Sequence, residues 1–135
     1  MSVDGIKLDT KVLDRIAANL GRSADKIIGG ICVEVMQSAQ SSMVGGSGRI
    51  YKRGKRIHQA SAPGEPPAPD YGALKNSIKI RREKVGQWIV HDGVSYGIHL
   101  EFGAPRNKMA ARPFMTPAVE KVRKSITKRF KGLIK

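Results

Sequence analysis

Gly45-Gly-Ser-Gly48 followed by Arg49 is the segment that most suggests a phosphate cradle, because consecutive glycines let backbone N–H groups approach an anion closely. It lacks the Lys-Ser/Thr ending of a nucleotide-binding loop and follows no strand-like run, so a flexible hinge is the better reading. The three histidines, His58, His91 and His99, have neither the short helical spacing of a metalloprotease nor paired cysteines beside them, so no metal site is expected. His91 and His99 flank Asp92-Gly93 and can face each other across a hairpin as surface residues. The carboxylates are scattered, and no Gly-x-Ser-x-Gly elbow or reactive setting for Cys32 is present. Catalytic, cofactor-binding and metal-binding residues are therefore expected to be none, and the chain is not expected to be an enzyme.

What remains is charge. Lys and Arg number 25 against 11 Asp and Glu among 135 residues, a formal net charge of +14, which favours acidic or polyanionic partners without dictating a fold. Five of those cations, Arg49, Lys52, Arg53, Lys55 and Arg56, cluster with Ile50, Tyr51 and Ile57 in a stretch continued by Pro63, Gly64, Glu65, Pro66 and Pro67. A plain linker has no need of Ile50, Tyr51 and Ile57 among its charges, so this stretch reads as an interaction arm. The single cysteine rules out an intrachain disulfide, no apolar run approaches the roughly 20 residues of a membrane span, and the first residues lack the pattern of a signal peptide. A protein assembled in the cytoplasm, with no membrane partner, is expected.

The elements that would position these residues follow from periodicity. Val12, Leu13, Ile16, Ala17 and Leu20 predict an amphipathic helix from Asp9 to Leu20, with Gly21 as its stop. A second helix, capped by Ser23, places Ile28, Ile31, Cys32, Val35, Ala39 and Met43 on one face, with Gly29 and Gly30 marking a kink or a close helix contact. From Gly45 to Asp70 periodicity disappears and one long loop is predicted; its part from Ser47 to Pro69 is expected to be mobile in the free subunit and ordered on assembly. Tyr71 to Ser77 reads as a helical turn. Three strands then follow, Ser77 to Arg82, Gln87 to His91 and Tyr96 to Phe102, joined at Lys84 to Gly86 and by a two-residue turn at Asp92-Gly93 into an antiparallel meander.

Trp88 is expected in the core. Thr116 as cap and Pro117 in the first turn open a C-terminal helix that runs to about Phe130 and buries Val119, Val122, Ile126, Phe130 and Leu133. Phe102 and Phe114 are expected to fill the core between sheet and final helix, while Glu101 reads equally as an exposed acid or a partner in a salt bridge between subunits. The predicted fold is α+β over residues 1–135 as a single domain, with an antiparallel sheet of three or four strands packed against two N-terminal helices and one C-terminal helix, plus a long basic Gly/Pro-rich loop.

Several of these stretches together carry a resemblance: Gly48-Arg-Ile-Tyr51, Ala60-Ser-Ala-Pro-Gly-Glu-Pro-Pro-Ala68, Gly72-Ala-Leu74, Ser77-Ile78, Tyr96 through Leu100-Glu-Phe-Gly103, and Arg112-Pro-Phe-Met-Thr-Pro-Ala118. In this order they resemble the gene-product-ten-like tail components of siphophages, also described as neck, head-tail joining or tail-completion proteins and related in role to lambda's minor tail protein Z. The resemblance covers roughly Gly45 to Ala118. Tyr71 departs from it, standing where Thr or Ser is more usual and could cap a helix.

The resemblance implies a non-enzymatic virion protein at the neck, joining the head connector to the tail. It would act as a ring homo-oligomer, a hexamer or dodecamer, against head-closure or connector proteins and tail-terminator or tail-tube proteins, with genomic DNA passing through the ring. It makes Gly72, Leu74, Tyr96, Leu100, Glu101, Phe102, Gly103, Arg112, Pro113, Phe114 and Pro117 structural positions. The rival roles are a tail terminator that caps the tail tube, and a nucleic-acid-binding protein using the arm and the C-terminal helix on phosphates, which would bind duplex DNA tightly and with strong salt dependence.

Overall fold

Val35, Ala39 and Met43, one stripe of a long helix, form the floor of the core, and Leu74, Ile78, Phe114, Ala118 and Val122 close over them. The computed structural model describes residues 11–133. In chain order these make α1 (Lys11–Ser42), the strands β1 (Ile50–Arg53) and β2 (Arg56–Gln59), α2 (Ala73–Ser77), the strands β3 (Lys79–Lys84) and β4 (Gln87–His91), α3 (Gly97–Phe102), a 3-10 turn Pro105–Asn107, α4 (Met115–Arg123) and α5 (Ile126–Lys131). The class is α+β, as the sequence predicts.

α1 is one helix of 32 residues where two are predicted. Gly21 and Ser23 lie inside it. A helical glycine costs about 1 kcal/mol against alanine, too little to end a helix whose second half is held by tertiary packing. Gly29 has a purpose there: the Trp88 ring lies so close that a Cβ on Gly29 would sit 3.0 Å from it, whereas Gly30 faces open space. Gly29 thus marks a close contact with a strand side chain, and not with the second helix expected. Trp88 is half-buried between β4 and α1, its indole N–H donating to Asp25 Oδ1 at 2.9 Å. Towards the N-terminus Ile16 and Leu20 remain about half exposed and Ala17 is exposed, so the described members of the first helical stripe are not buried as predicted. Asp9 and the side chains of Val12 and Leu13 fall outside the described residues.

Two separate two-stranded ribbons replace the predicted meander. β3 and β4 pair antiparallel, with Ile80 opposite Val90 and a register shift between Arg82 and Lys84, and Gly86 turns the hairpin at φ 79°. The predicted third strand is the helix α3. Gly93 does not take the positive φ of a type I′ turn, and the chain instead coils, Gly97 N–H donating to Val94 O and Leu100 N–H to Tyr96 O. The inward stripe of α3 is Gly97, Leu100 and Glu101, continued by Ala104 just beyond it, at helical spacing with one large apolar member. Its outward side chains, Ile98 and Phe102, are 61% and 74% exposed, and it was these that imitated a strand alternation. Phe102 is therefore not a core residue, and His99 lies exposed on α3, not across a hairpin from His91.

The single C-terminal helix is also interrupted, at Lys124 and Ser125, where Ser125 N–H and Oγ both donate to Val122 O. Ala118 and Val122 are buried against the core, Ile126, Phe130 and Leu133 are half-buried, and Val119 is 45% exposed, contrary to its predicted burial. α5 is tied to α1 through Arg129 and Glu34.

Candidate functional site: a hairpin and a tyrosine-lined groove

The stretch predicted as one loop contains a hairpin. Ile50, Tyr51 and Ile57 favour extended backbone, and Gly54-Lys55 supplies a two-residue turn with Gly54 at φ 62°. The pairs Ile50–Gln59, Tyr51–His58, Lys52–Ile57 and Arg53–Arg56 sort its side chains onto two faces. On one face Tyr51, His58, Arg53 and Arg56 sit together, and the last three converge on Asp70: Arg56 at 3.0 Å, Arg53 at 3.6 Å and His58 at 3.8 Å. The other face turns Ile50 and Ile57 to solvent, 63% and 67% exposed, with Lys52 between them.

The base of the hairpin is fixed to the body, unlike the independent, mobile arm expected from composition. Gly48 N–H donates to Ala60 O and Ala60 N–H to Arg49 O, prolonging the ladder; Gly64 N–H donates to Ala111 O, and Ser61 and Pro67 are buried. Pro63 is exposed and Pro66 half-buried. The apparent phosphate cradle is filled from within. Glu65 accepts the Ser47 hydroxyl, the Ala62 N–H at 2.8 Å and the Ser47 N–H at 3.1 Å, and these bonds, the hydroxyl's first, hold its carboxyl below the ordinary value.

Gly46 and Gly48 are required by close approach and not by hinge motion. A Cβ on Gly46 would lie 2.2 Å from Ala60 O, and one on Gly48 2.6 Å from Ser61 O. Gly46→Ala is expected to cost about 1–3 kcal/mol, as overpacking against rigid backbone does, and to speed proteolysis between β1 and β2. Gly45→Ala, facing open space, is expected to leave both the melt and the digestion rate unchanged.

Between the hairpin and α3 runs a groove of about 460 Å³ that all three tyrosines of the protein, Tyr51, Tyr71 and Tyr96, help to line. Met43, Leu74, Leu100 and Met109 form apolar parts of its wall, and Arg56 stacks over the Tyr71 ring at 3.7 Å. Arg49 lies over Tyr51 at 5.3 Å. Gly72, at φ 79°, is itself the N-cap of α2 and offers no side-chain cap, and Tyr71 before it contributes its ring to the groove.

The second cluster of predicted positions is a joint. Glu101 is 8% exposed and accepts backbone N–H groups of Phe114 at 2.8 Å, Met115 at 3.0 Å and Thr116 at 2.8 Å, thereby capping α4 from another element. Neither an exposed acid nor a bridge between subunits describes it. Burial pushes its carboxyl up, but the hydrogen bonds from Phe114 and its neighbours more than offset this and hold it below the ordinary value. Thr116 is a donor to this cap and not the cap itself, while Pro117 does sit in the first turn of α4, where its missing N–H costs nothing. Arg112 joins the pieces: its N–H donates to Leu100 O at 2.6 Å and its Nε to Ser61 O at 3.2 Å. Gly103, at φ 81°, turns the chain out of α3, Pro113 is half-buried before Phe114, and Phe114 is 1% exposed.

Thus the arm residues form an exposed hairpin, and the motif residues from Tyr96 to Pro117 hold its floor. Asp25, Asp70 and Ser61 were not singled out from sequence, because an isolated Asp or Ser carries no periodic signal. Asp25 binds Gly86 N–H, Trp88 Nε1 and Arg82, and the first two lower its carboxyl most. Among the described residues no cluster of side chains suits a metal ion, and burial pushes the Cys32 thiol up, away from nucleophilic use. No described helix is long and apolar enough to cross a membrane. Comparison of the chain with family models, curated proteins and solved structures returned no match.

Proposed function

We propose that this chain is a structural subunit of a tailed-phage neck, which joins the head connector to the tail as a ring homo-oligomer around the DNA channel. The observation that carries the reading is a set of uncovered apolar side chains on two elements, Ile50 and Ile57 on the hairpin face turned away from the tyrosine-lined groove and Ile98 and Phe102 on the outward side of α3. Large apolar side chains left bare on two separate elements are what a subunit interface needs, and a head-to-tail contact between two such unlike patches generates a ring when its rotation closes. The nearby carboxylates are engaged in internal ties, Glu65 to Ser47 and Ala62, Asp70 to the hairpin cations, Glu101 to α4, and so hold shape. The motif resemblance of residues 45–118 supports the same role.

The test is genetic. Phage lacking the gene should accumulate full heads and separate tails, and the same defect should follow from Ile57→Asp combined with Phe102→Asp. Both positions are exposed, so the purified double variant should melt within about 0.5 kcal/mol of the parent. Normal, joined, infectious particles from either phage would overturn the proposal.

A further inference from the structure

The cations of this chain fall into two populations. Arg53 and Arg56 are paired with Asp70, Arg82 with Asp25, Arg81 with Glu83, Arg123 with Glu120 and Arg129 with Glu34. Lys121, Lys124, Lys128 and Lys131 have no carboxylate within ion-pair reach among the described residues, and all four are exposed. Their spacing of three, four and three residues puts them within about 80° of one another on the α4–α5 run, centred about 120° round from the Ala118 and Val122 side that packs on the core. The interruption at Lys124 and Ser125 keeps both residues in right-handed helical backbone, so the row continues across it.

We infer that this lysine row is a contact surface for the phosphate backbone of duplex DNA, an inference that rests on the neck reading only for which DNA is met. Ten residues of helix extend about 15 Å, a length of duplex that carries on the order of nine phosphate charges. Charge complementarity favours a polyanion, because the row contains no acid and Glu120 beside it is already paired with Arg123. An acidic protein partner would call for apolar or aromatic anchors among the charges. The row has none; Val119, the exposed apolar residue of α4, lies at least about 120° round the helix from each lysine. A membrane surface would need an open apolar face, and here that face is occupied by the core. The α4 N-terminus is filled by the Glu101 carboxylate, so side chains alone must meet the phosphates. Of the two cationic contacts that sequence alone offers, the arm and the C-terminal helix, the arm has two of its five cations tied to Asp70.

The experiment is the salt dependence of binding of the full chain to a short random-sequence duplex, measured between about 50 and 200 mM salt. Lys121→Gln, Lys124→Gln, Lys128→Gln and Lys131→Gln together should reduce the slope of log K against log salt by about 3 to 4, and each alone by about 1. The single variants keep the test usable if the combined one folds poorly. A control that removes the same charge from exposed lysines outside both the row and the hairpin, Lys26→Gln, Lys79→Gln, Lys84→Gln and Lys108→Gln, should change the slope by less than about 1. Equal losses from both sets would show attraction by net charge alone and overturn the inference, as would the absence of salt-dependent binding by the parent. Neither result would touch the deletion phenotype that tests the neck reading, and a normal slope change in a protein that phage do not need for joining would sink that reading while leaving this one intact.

Discussion

Phe114→Ala is expected to destabilise the protein by about 3–5 kcal/mol, a large part of what a domain of this size possesses. Phe114 is among the largest fully buried side chains and lies in the one core cluster with Met43 and Ile78. It also opens α4, and its own N–H is one of the three that Glu101 accepts. Truncation leaves a cavity where α1, α2 and α4 meet, and thermal or urea melting of the purified chain reads the loss directly. Phe102→Ala is the paired control. That ring is 74% exposed on α3, so its removal should leave the melt of the isolated chain nearly unchanged. A Phe102 effect as large as that of Phe114 would contradict the fold described above.

Glu101→Gln is expected to cost about 3 kcal/mol and to lower the melting temperature by about 10 °C. The amide keeps one acceptor oxygen but turns an NH2 group toward backbone N–H donors that the carboxylate satisfied, and it removes the negative charge from the start of α4. The same residue predicts a pH dependence. A carboxyl whose folded-state value lies below its ordinary one stabilises the fold fully above that ordinary value of 4.5 and loses the contribution as the pH falls through the lower, folded-state value. Asp25 and Glu65 are shifted in the same direction, so acid should unfold the protein by protonating all three. Glu101→Gln should be less stable than the parent at neutral pH and approach it in acid. A difference that stays constant between neutral pH and about pH 3 would show that the charge of Glu101 contributes nothing.

Where a segment's apolar residues kept a helical or alternating period and were buried accordingly, the sequence was a sound guide. The Val35, Ala39 and Met43 stripe, the β3–β4 hairpin with its Gly86 turn, and the burial of Val122 are all present. α3 was misread because the residues that period analysis weights, Ile98 and Phe102, point outward, while the inward ones are a glycine, one leucine and a glutamate. The hairpin was missed because its strands are short, four residues each, and its side chains are mostly charged, so neither face reads as buried. The joint at Glu101 depends on a carboxylate meeting a helix start thirteen residues later, a tertiary fact with no local periodic trace. The arm stretch stands out by composition, but the division of its hairpin into an Asp70-bound face and a solvent-facing apolar face required the strand pairing to be known.

The most direct test of the proposed role is a cryo-electron microscopy reconstruction of intact virions at a resolution that traces side chains. The neck reading predicts a ring of this chain between the head connector and the tail, with Ile50 and Ile57 or Ile98 and Phe102 of each copy covered by a neighbour. A virion whose neck is built wholly from other proteins, or a ring of this chain in which all four side chains remain bare, would contradict it.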